Sequence, residues 1–88
     1  MNLKQYKNAV AELGCLICRR PAELHHPKFC TGMSQRASDW LAIPLCPDHH
    51  RLGGHGVALH AGQETFEQNF GREAELLAKT IKEIVRKV

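Results

Sequence analysis

The strongest constraint on this chain is a set of two ligand pairs, Cys15-x-x-Cys18 and Cys46-x-x-His49, within only 88 residues. A chain this short reads as a single domain, residues 1–88, with one small core. At that size apolar burial is marginal by itself, and metals or disulfides often help. Each pair has the spacing that lets two side chains reach one tetrahedral ion, and thiolates with imidazoles are the set zinc prefers. The expectation is a structural Zn2+ on Cys15, Cys18, Cys46 and His49, which joins a knuckle to a helix start and pins residues 19–45 between them. Two other readings stand beside it. A lone CxxC serves as a redox dithiol in thioredoxin-like folds, but these need a longer chain with βαβ units. The cysteines also make sense as small buried apolar residues. Cys30 is the odd one out, in a polar loop, either a bystander or a substitute for one of the four ligands.

The cysteines do not read as a secreted disulfide framework. The segment Met1-Asn2-Leu3-Lys4-Gln5-Tyr6 lacks the long apolar stretch of a signal peptide, and no apolar run is long enough to span a bilayer. The expected compartment is the reducing cytoplasm, with no membrane partner. The net charge of +3 and a pI near 8.8 suit a polyanionic partner without demanding one. The basic residues are dispersed, with no polybasic block, so a solvated surface explains the charge equally well.

Apolar spacing places the elements. Leu3, Tyr6, Val10 and Leu13 form one stripe and predict a helix over 3–13, stopped by Gly14. Glu23 to His26 predicts a short strand ending at Pro27, and 29–38 a polar loop. Trp40-Leu41-Ala42-Ile43 predicts a second strand, with Pro44 closing it or lying at an edge. Cys46 to Leu52 opens a short helix with Pro47 near its first turn, broken by Gly53, Gly54 and Gly56. Two further helices follow, over about 63–70 and 72–87. The last one is expected to bury Leu77, Ile81, Ile84 and Val88.

A structural zinc uses four ligands, which leaves His25, His26, His50, His55 and His60 to be explained. Any one of them is ordinarily a surface or satisfied core imidazole. An adjacent pair with three more within 50–60, flanked by glycines in a basic chain, asks for a second role.

Here the residues carry a resemblance. Glu23-Leu24-His25-His26 followed, after a loop, by Ile43-Pro44-Leu45-Cys46-Pro47-Asp48-His49-His50 resembles the HNH, or His-Me finger, endonucleases. The stretch from Thr31-Gly32-Met33 to Ser38-Asp39-Trp40-Leu41-Ala42-Ile43-Pro44-Leu45-Cys46 is similar to phage and prophage HNH proteins. His60-Ala61-Gly62, Thr65-Phe66-Glu67 and Phe70-Gly71 are similar to the phage recombination-enhancement (Ref) nucleases. The resemblance covers about residues 14–71. It implies a small α+β fold: a zinc-stapled ββα-metal (HNH) finger with flanking N- and C-terminal helices. It also implies a catalytic divalent metal (Mg2+, Mn2+ or Zn2+) clamped against the scissile phosphate. By position, His26 resembles the general base, and His25 and His50 resemble metal ligands. The sequence departs from the family in two places. The middle Asn has no clear counterpart, and Asp39 is the nearest polar candidate to orient the base. The helical ligand is often followed by another His one turn later, where this chain has Gly54, so His55 or His60 must serve. His60 is preferred because it matches the Ref-like stretch.

The resulting expectation is a metal-dependent endonuclease that hydrolyses phosphodiester bonds in DNA with little sequence preference, RNA remaining open. Lys28, Arg36 and Arg51 flank the site as nucleic-acid-binding residues for backbone phosphates. A recombinase filament on DNA is a partner by resemblance only, and the chain is expected to be a monomer or weak homodimer. The competing reading is a non-catalytic zinc module that binds nucleic acid or a protein. A redox or metal-storage protein is the remote third.

Overall fold

The computed structural model describes residues 1–27 and 38–87, so the polar loop from Lys28 onward, with Cys30 and Arg36, lies outside the described residues, as does Val88. Helix α1, Leu3–Glu12, starts at Asn2, whose side chain accepts from the Gln5 amide at 2.8 Å while the Gln5 side chain accepts from the Asn2 amide at 2.9 Å. This reciprocal cap satisfies two amides that a helix start leaves unpaired. Tyr6 and Val10 are buried on its inner face. The chain leaves α1 through Gly14 at φ +75°, a conformation that side-chain-bearing residues adopt only with strain. A Cβ there would also lie 2.9 Å from the Arg19 carbonyl oxygen. The knuckle that follows closes on itself, with the Arg19 amide donating to the Cys15 carbonyl and the Cys15 amide to the Arg20 carbonyl, each at 2.8 Å.

Strands β1, Glu23–His25, and β2, Ile43–Leu45, pair antiparallel in the register Glu23 with Leu45, Leu24 with Pro44 and His25 with Ile43. β2 differs from the expected Trp40–Ile43. Asp39–Leu41 instead forms a turn of 3-10 helix, held by the Leu41 amide on the Ser38 carbonyl at 2.9 Å and the Trp40 amide on the Ser38 hydroxyl at 3.2 Å. The Ser38 cap competes with a ladder at these residues, and Trp40 stays 44% exposed. Pro44 sits inside the strand at no cost in donors. Its carbonyl accepts from Leu16 at 3.1 Å, so its backbone polar edge faces away from β1 and the missing N–H is not a ladder donor.

Residues Asp48–Leu52 form a turn of π-helix, Leu59–Ala61 a 3-10 turn, and helices α2, Gln63–Phe70, and α3, Glu73–Lys87, complete the chain. Gly71 ends α2 as expected. The face of α3 differs from the expected stripe. Leu77 and Ile84 are buried, but Ile81 is 42% exposed, and Leu76, Thr80 and Glu73 are buried instead. The helix buries positions 73, 76, 77, 80 and 84, which leaves Ile81 at the flank.

The larger core cluster joins Ile43 and Leu45 of β2 to Leu59, Phe66, Leu76 and Leu77, with Cys15 and Cys46 among them. A second one joins Tyr6 and Val10 of α1 to Ala42 and Ile84. The result is a small α+β arrangement, a two-stranded sheet wrapped by helices. Among the described residues no helix is long and apolar enough to cross a membrane.

Candidate metal centres

Two clusters of metal-ligating side chains meet at the sheet, and both use the π-helical turn. Its residues His49 and His50 are consecutive, so their side chains leave the helical axis in different directions and serve different clusters. Gly53 closes the turn, its amide donating to the Asp48 carbonyl at 2.9 Å. A Cβ on Gly53 would lie 2.5 Å from the Asp48 carbonyl oxygen and 2.6 Å from Val57 Cγ1, so only glycine fits.

The first cluster is Cys15, Cys18, Cys46 and His49, whose ligand atoms all lie within 4.8 Å of one another. Cys18 Sγ is 3.6 Å from Cys46 Sγ, and His49 Nδ1 is 3.6 Å from Cys15 Sγ and 3.2 Å from Cys46 Sγ. The edges of a tetrahedral zinc site with Zn–S near 2.3 Å and Zn–N near 2.0 Å run about 3.5 to 3.8 Å, which the two 3.6 Å separations match and the 3.2 Å one falls short of by a few tenths, so the four donors could hold such an ion. Backbone amides support the thiolates: Ile17 donates to Cys15 Sγ at 3.4 Å and His49 to Cys46 Sγ at 3.5 Å. Burial pushes the Cys15 thiol up, but the amides of Cys46, Cys18 and Ile17 together bring it below its ordinary value. Burial holds Cys46 above its ordinary value. The His49 ring stands edge-on to Phe70 at 5.3 Å, which fixes the imidazole plane from the α2 side.

The second cluster is His25, His50 and His60. His50 Nε2 lies 3.2 Å from His25 Nδ1 and 3.0 Å from His60 Nε2. The opposite nitrogens of two of these rings are spoken for. His50 Nδ1 donates to Glu23 Oε2 at 2.9 Å, and His25 Nε2 donates to Glu73 Oε2 at 2.6 Å. Those bonds leave His50 Nε2 and His25 Nδ1 as lone pairs pointing at each other. His50 Nε2 has one lone pair and two ring nitrogens on it, so a single donated proton does not satisfy both contacts. A shared cation does, and nitrogens bound to one ion at about 2.1 Å sit about 3.0 to 3.4 Å apart. Burial lowers the basicity of His50 despite its Glu23 hydrogen bond, which keeps the ring neutral and able to ligate. His55 is elsewhere: its Nε2 lies 3.1 Å from the Thr65 hydroxyl, and its ring fills the space above Gly62.

On the residue after His25, His26 Nε2 donates to Asp39 Oδ1 at 2.6 Å, with both side chains about four-fifths covered. The 3-10 turn that displaced the expected strand is what delivers Asp39 to this position. Lys7 of α1 approaches Asp39 Oδ2 at 3.7 Å. With Nε2 committed to Asp39, the lone pair of His26 is on Nδ1.

Of the three basic residues expected to touch phosphate, Arg51 is in view. Its guanidinium grips Glu23 through Nε at 2.9 Å and Nη2 at 3.3 Å, and about half of its surface stays exposed. Arg51, first by its hydrogen bond, holds the Glu23 carboxyl below the usual range, so Glu23 is charged where it receives His50. Lys28 and Arg36 lie outside the described residues.

Sequence reasoning missed the two carboxylates behind the histidines. Glu23 was within reach, because a strand places residues 23 and 25 on one face. Glu73 gave no local signal, being 48 positions from His25. No curated protein and no solved structure matches the chain. One family model, described as "Protein of unknown function (DUF968)", matches residues 1–86, and the chain belongs to that family.

Proposed function

We propose that this protein is a metal-dependent endonuclease of the HNH type, hydrolysing phosphodiester bonds in DNA, with the Cys15, Cys18, Cys46 and His49 centre holding a structural zinc. The observation that carries this reading is the convergence of His25, His50 and His60, together with a separate, aspartate-oriented imidazole on the next residue of the chain after His25, His26. A cluster for one ion next to an independent base is what a one-metal hydrolase needs, and a purely structural site has no use for the second part.

In this reading His25, His50 and His60 would hold a divalent ion, which would supply positive charge to stabilise the phosphodiester transition state. His26 Nδ1 takes a proton from the attacking water. Asp39 holds that tautomer and stabilises the imidazolium that forms, and Lys7 lies 3.7 Å from the other Asp39 oxygen. Asp39 thereby does the orienting work of the family's missing Asn. All three ligands are imidazoles, which suit zinc, iron or nickel better than magnesium, so a transition metal is the expected activator. Arg51 serves as a backbone contact through the part of its guanidinium that Glu23 leaves uncovered.

The test is nicking of supercoiled plasmid by wild type and His26→Ala, with magnesium, manganese, nickel or zinc added in turn and a chelator control. Metal-dependent nicking that a folded His26→Ala protein loses by about 100-fold or more supports the proposal. No cleavage with any metal, on naked DNA or on a recombinase filament, refutes it and leaves a zinc-binding module.

A further inference from the structure

We propose that Glu73 is a positioning residue for the three-histidine cluster, which makes the C-terminal helix part of the metal site. The inference rests on reading that cluster as a metal centre, not on cleavage.

Glu73 is 2% exposed, at the first residue of α3, and its Oε2 accepts from His25 Nε2 at 2.6 Å. A carboxylate is expensive to bury and is kept inside only when its oxygens are satisfied. Here they are: Oε2 takes the His25 proton, and Oε1 accepts from the side-chain amide of Gln63 at the start of α2. The Glu73 amide donates to Glu67 Oε2 at 3.4 Å, which ties the α3 start to α2. The carboxylate is therefore held from two helices before it touches the ring.

The consequence is chemical. An imidazole can carry its single proton on either nitrogen, and only the unprotonated one ligates. Glu73 stabilises the tautomer with the proton on Nε2, which turns the Nδ1 lone pair toward His50 and His60. It also raises the donor strength of that lone pair. Glu23 of β1 does the same for His50, so two of the three rings are set by carboxylates from two different elements. The strand that carries His25 is only Glu23–His25, too short to hold the ring plane unaided. The helix holds it instead. α3 thus acts on the site as well as on the core.

The experiment titrates cobalt(II) into the 88-residue chain with its cysteine site already loaded with zinc. Visible absorption reads occupancy of the histidine site, and thermal melting checks the fold. Wild type should take one cobalt ion there. Glu73→Ala should bind it 10- to 100-fold more weakly, in the usual range for losing a carboxylate behind a ligand histidine. Glu73→Gln keeps an acceptor for Nε2–H, with the Gln63 amide flipped to match, and should recover most of that loss. Gln63→Ala, which removes one hydrogen-bond donor from the carboxylate, should fall between wild type and Glu73→Ala. Should Glu73→Ala not fold, the Gln63→Ala and Glu73→Gln affinities decide. A merely structural Glu73 predicts a lower melting temperature with cobalt affinity within twofold of wild type in every folded variant, and that result overturns the proposal. A wild type that binds no cobalt at the histidines overturns the metal-centre reading and this proposal with it. A protein that binds cobalt with the expected order of affinities but cuts nothing leaves the positioning role intact.

Discussion

Stripping zinc from the cysteine centre should unfold this protein. A chain of this length has a total stability of about 4 to 13 kcal/mol. A structural zinc site of this type contributes about 10 to 16 kcal/mol of binding free energy at neutral pH, which equals or exceeds that total. The geometry says the contribution is tied to folding. Cys15 and Cys46 are 0% and 2% exposed and belong to the main core cluster, so the four donors meet only when β2, the knuckle and the π-helical turn are packed. The assay is circular dichroism melting of the zinc-loaded protein before and after a high-affinity chelator, with bound metal counted by mass spectrometry. Cooperative melting should disappear with the ion and return when zinc is restored. Cys18→Ser, which removes the half-exposed ligand with little change in volume, should lower zinc retention against the chelator by more than 100-fold. That bound follows because losing a mere neighbour of a ligand costs 10- to 100-fold. His60→Ala is the control: it is an exposed ligand of the other cluster and should leave the melt nearly unchanged. A metal-free chain that melts cooperatively within a few degrees of the loaded form would refute the reasoning and show that the apolar core suffices.

Other perturbations test separate parts of the structure. Phe66 is fully buried against Phe70, with ring centroids 5.0 Å apart, and Phe66→Ala should cost about 3 to 5 kcal/mol in urea unfolding of the zinc-loaded protein. A loss under 1 kcal/mol would mean that α2 contributes little to the core. Gly53→Ala must displace either the Asp48 carbonyl or Val57, and should cost about 1 to 3 kcal/mol while weakening metal binding at His50. A stable Gly53→Ala with wild-type metal content would show that the turn relaxes freely. Arg19 holds the Glu83 carboxyl, by hydrogen bond first, below its ordinary 4.5. A lowered folded-state value stabilises the protein above the ordinary value, and that contribution fades as pH falls through the lowered one. Glu83→Gln should therefore flatten part of the stability loss below about pH 4.5, by a small amount because the pair is half exposed. Identical pH profiles for the two proteins would remove the pair from the account.

Local pattern made much of this molecule legible in advance. The two ligand pairs are encoded by spacing within four residues, so they are readable without knowing what lies between them. Helix ends at Gly14 and Gly71 follow from the backbone freedom of glycine, and α2 coincides with the spacing of Phe66 and Phe70. Element boundaries failed where two local preferences competed: the apolar run at 40–43 favours a strand, but the Ser38 cap draws 39–41 into a turn and moves the strand to Ile43–Leu45. The face of α3 failed for a related reason. Ile81 lies at the flank of the stripe, and only the packing partner decides which flank is covered, by Thr80 here.

The sequence by itself determined which residue types were present for a Cys/His cluster, for a second imidazole cluster and for a further adjacent histidine, because ligand spacing and residue chemistry are local properties. Only the tertiary structure decided how the histidines divide. It set His60 rather than His55 against His50, brought Asp39 to His26, and placed Glu73 behind His25 from 48 positions away. Those choices depend on which elements pack together, and hydrogen-bond partners far apart in the chain leave no periodic trace in it.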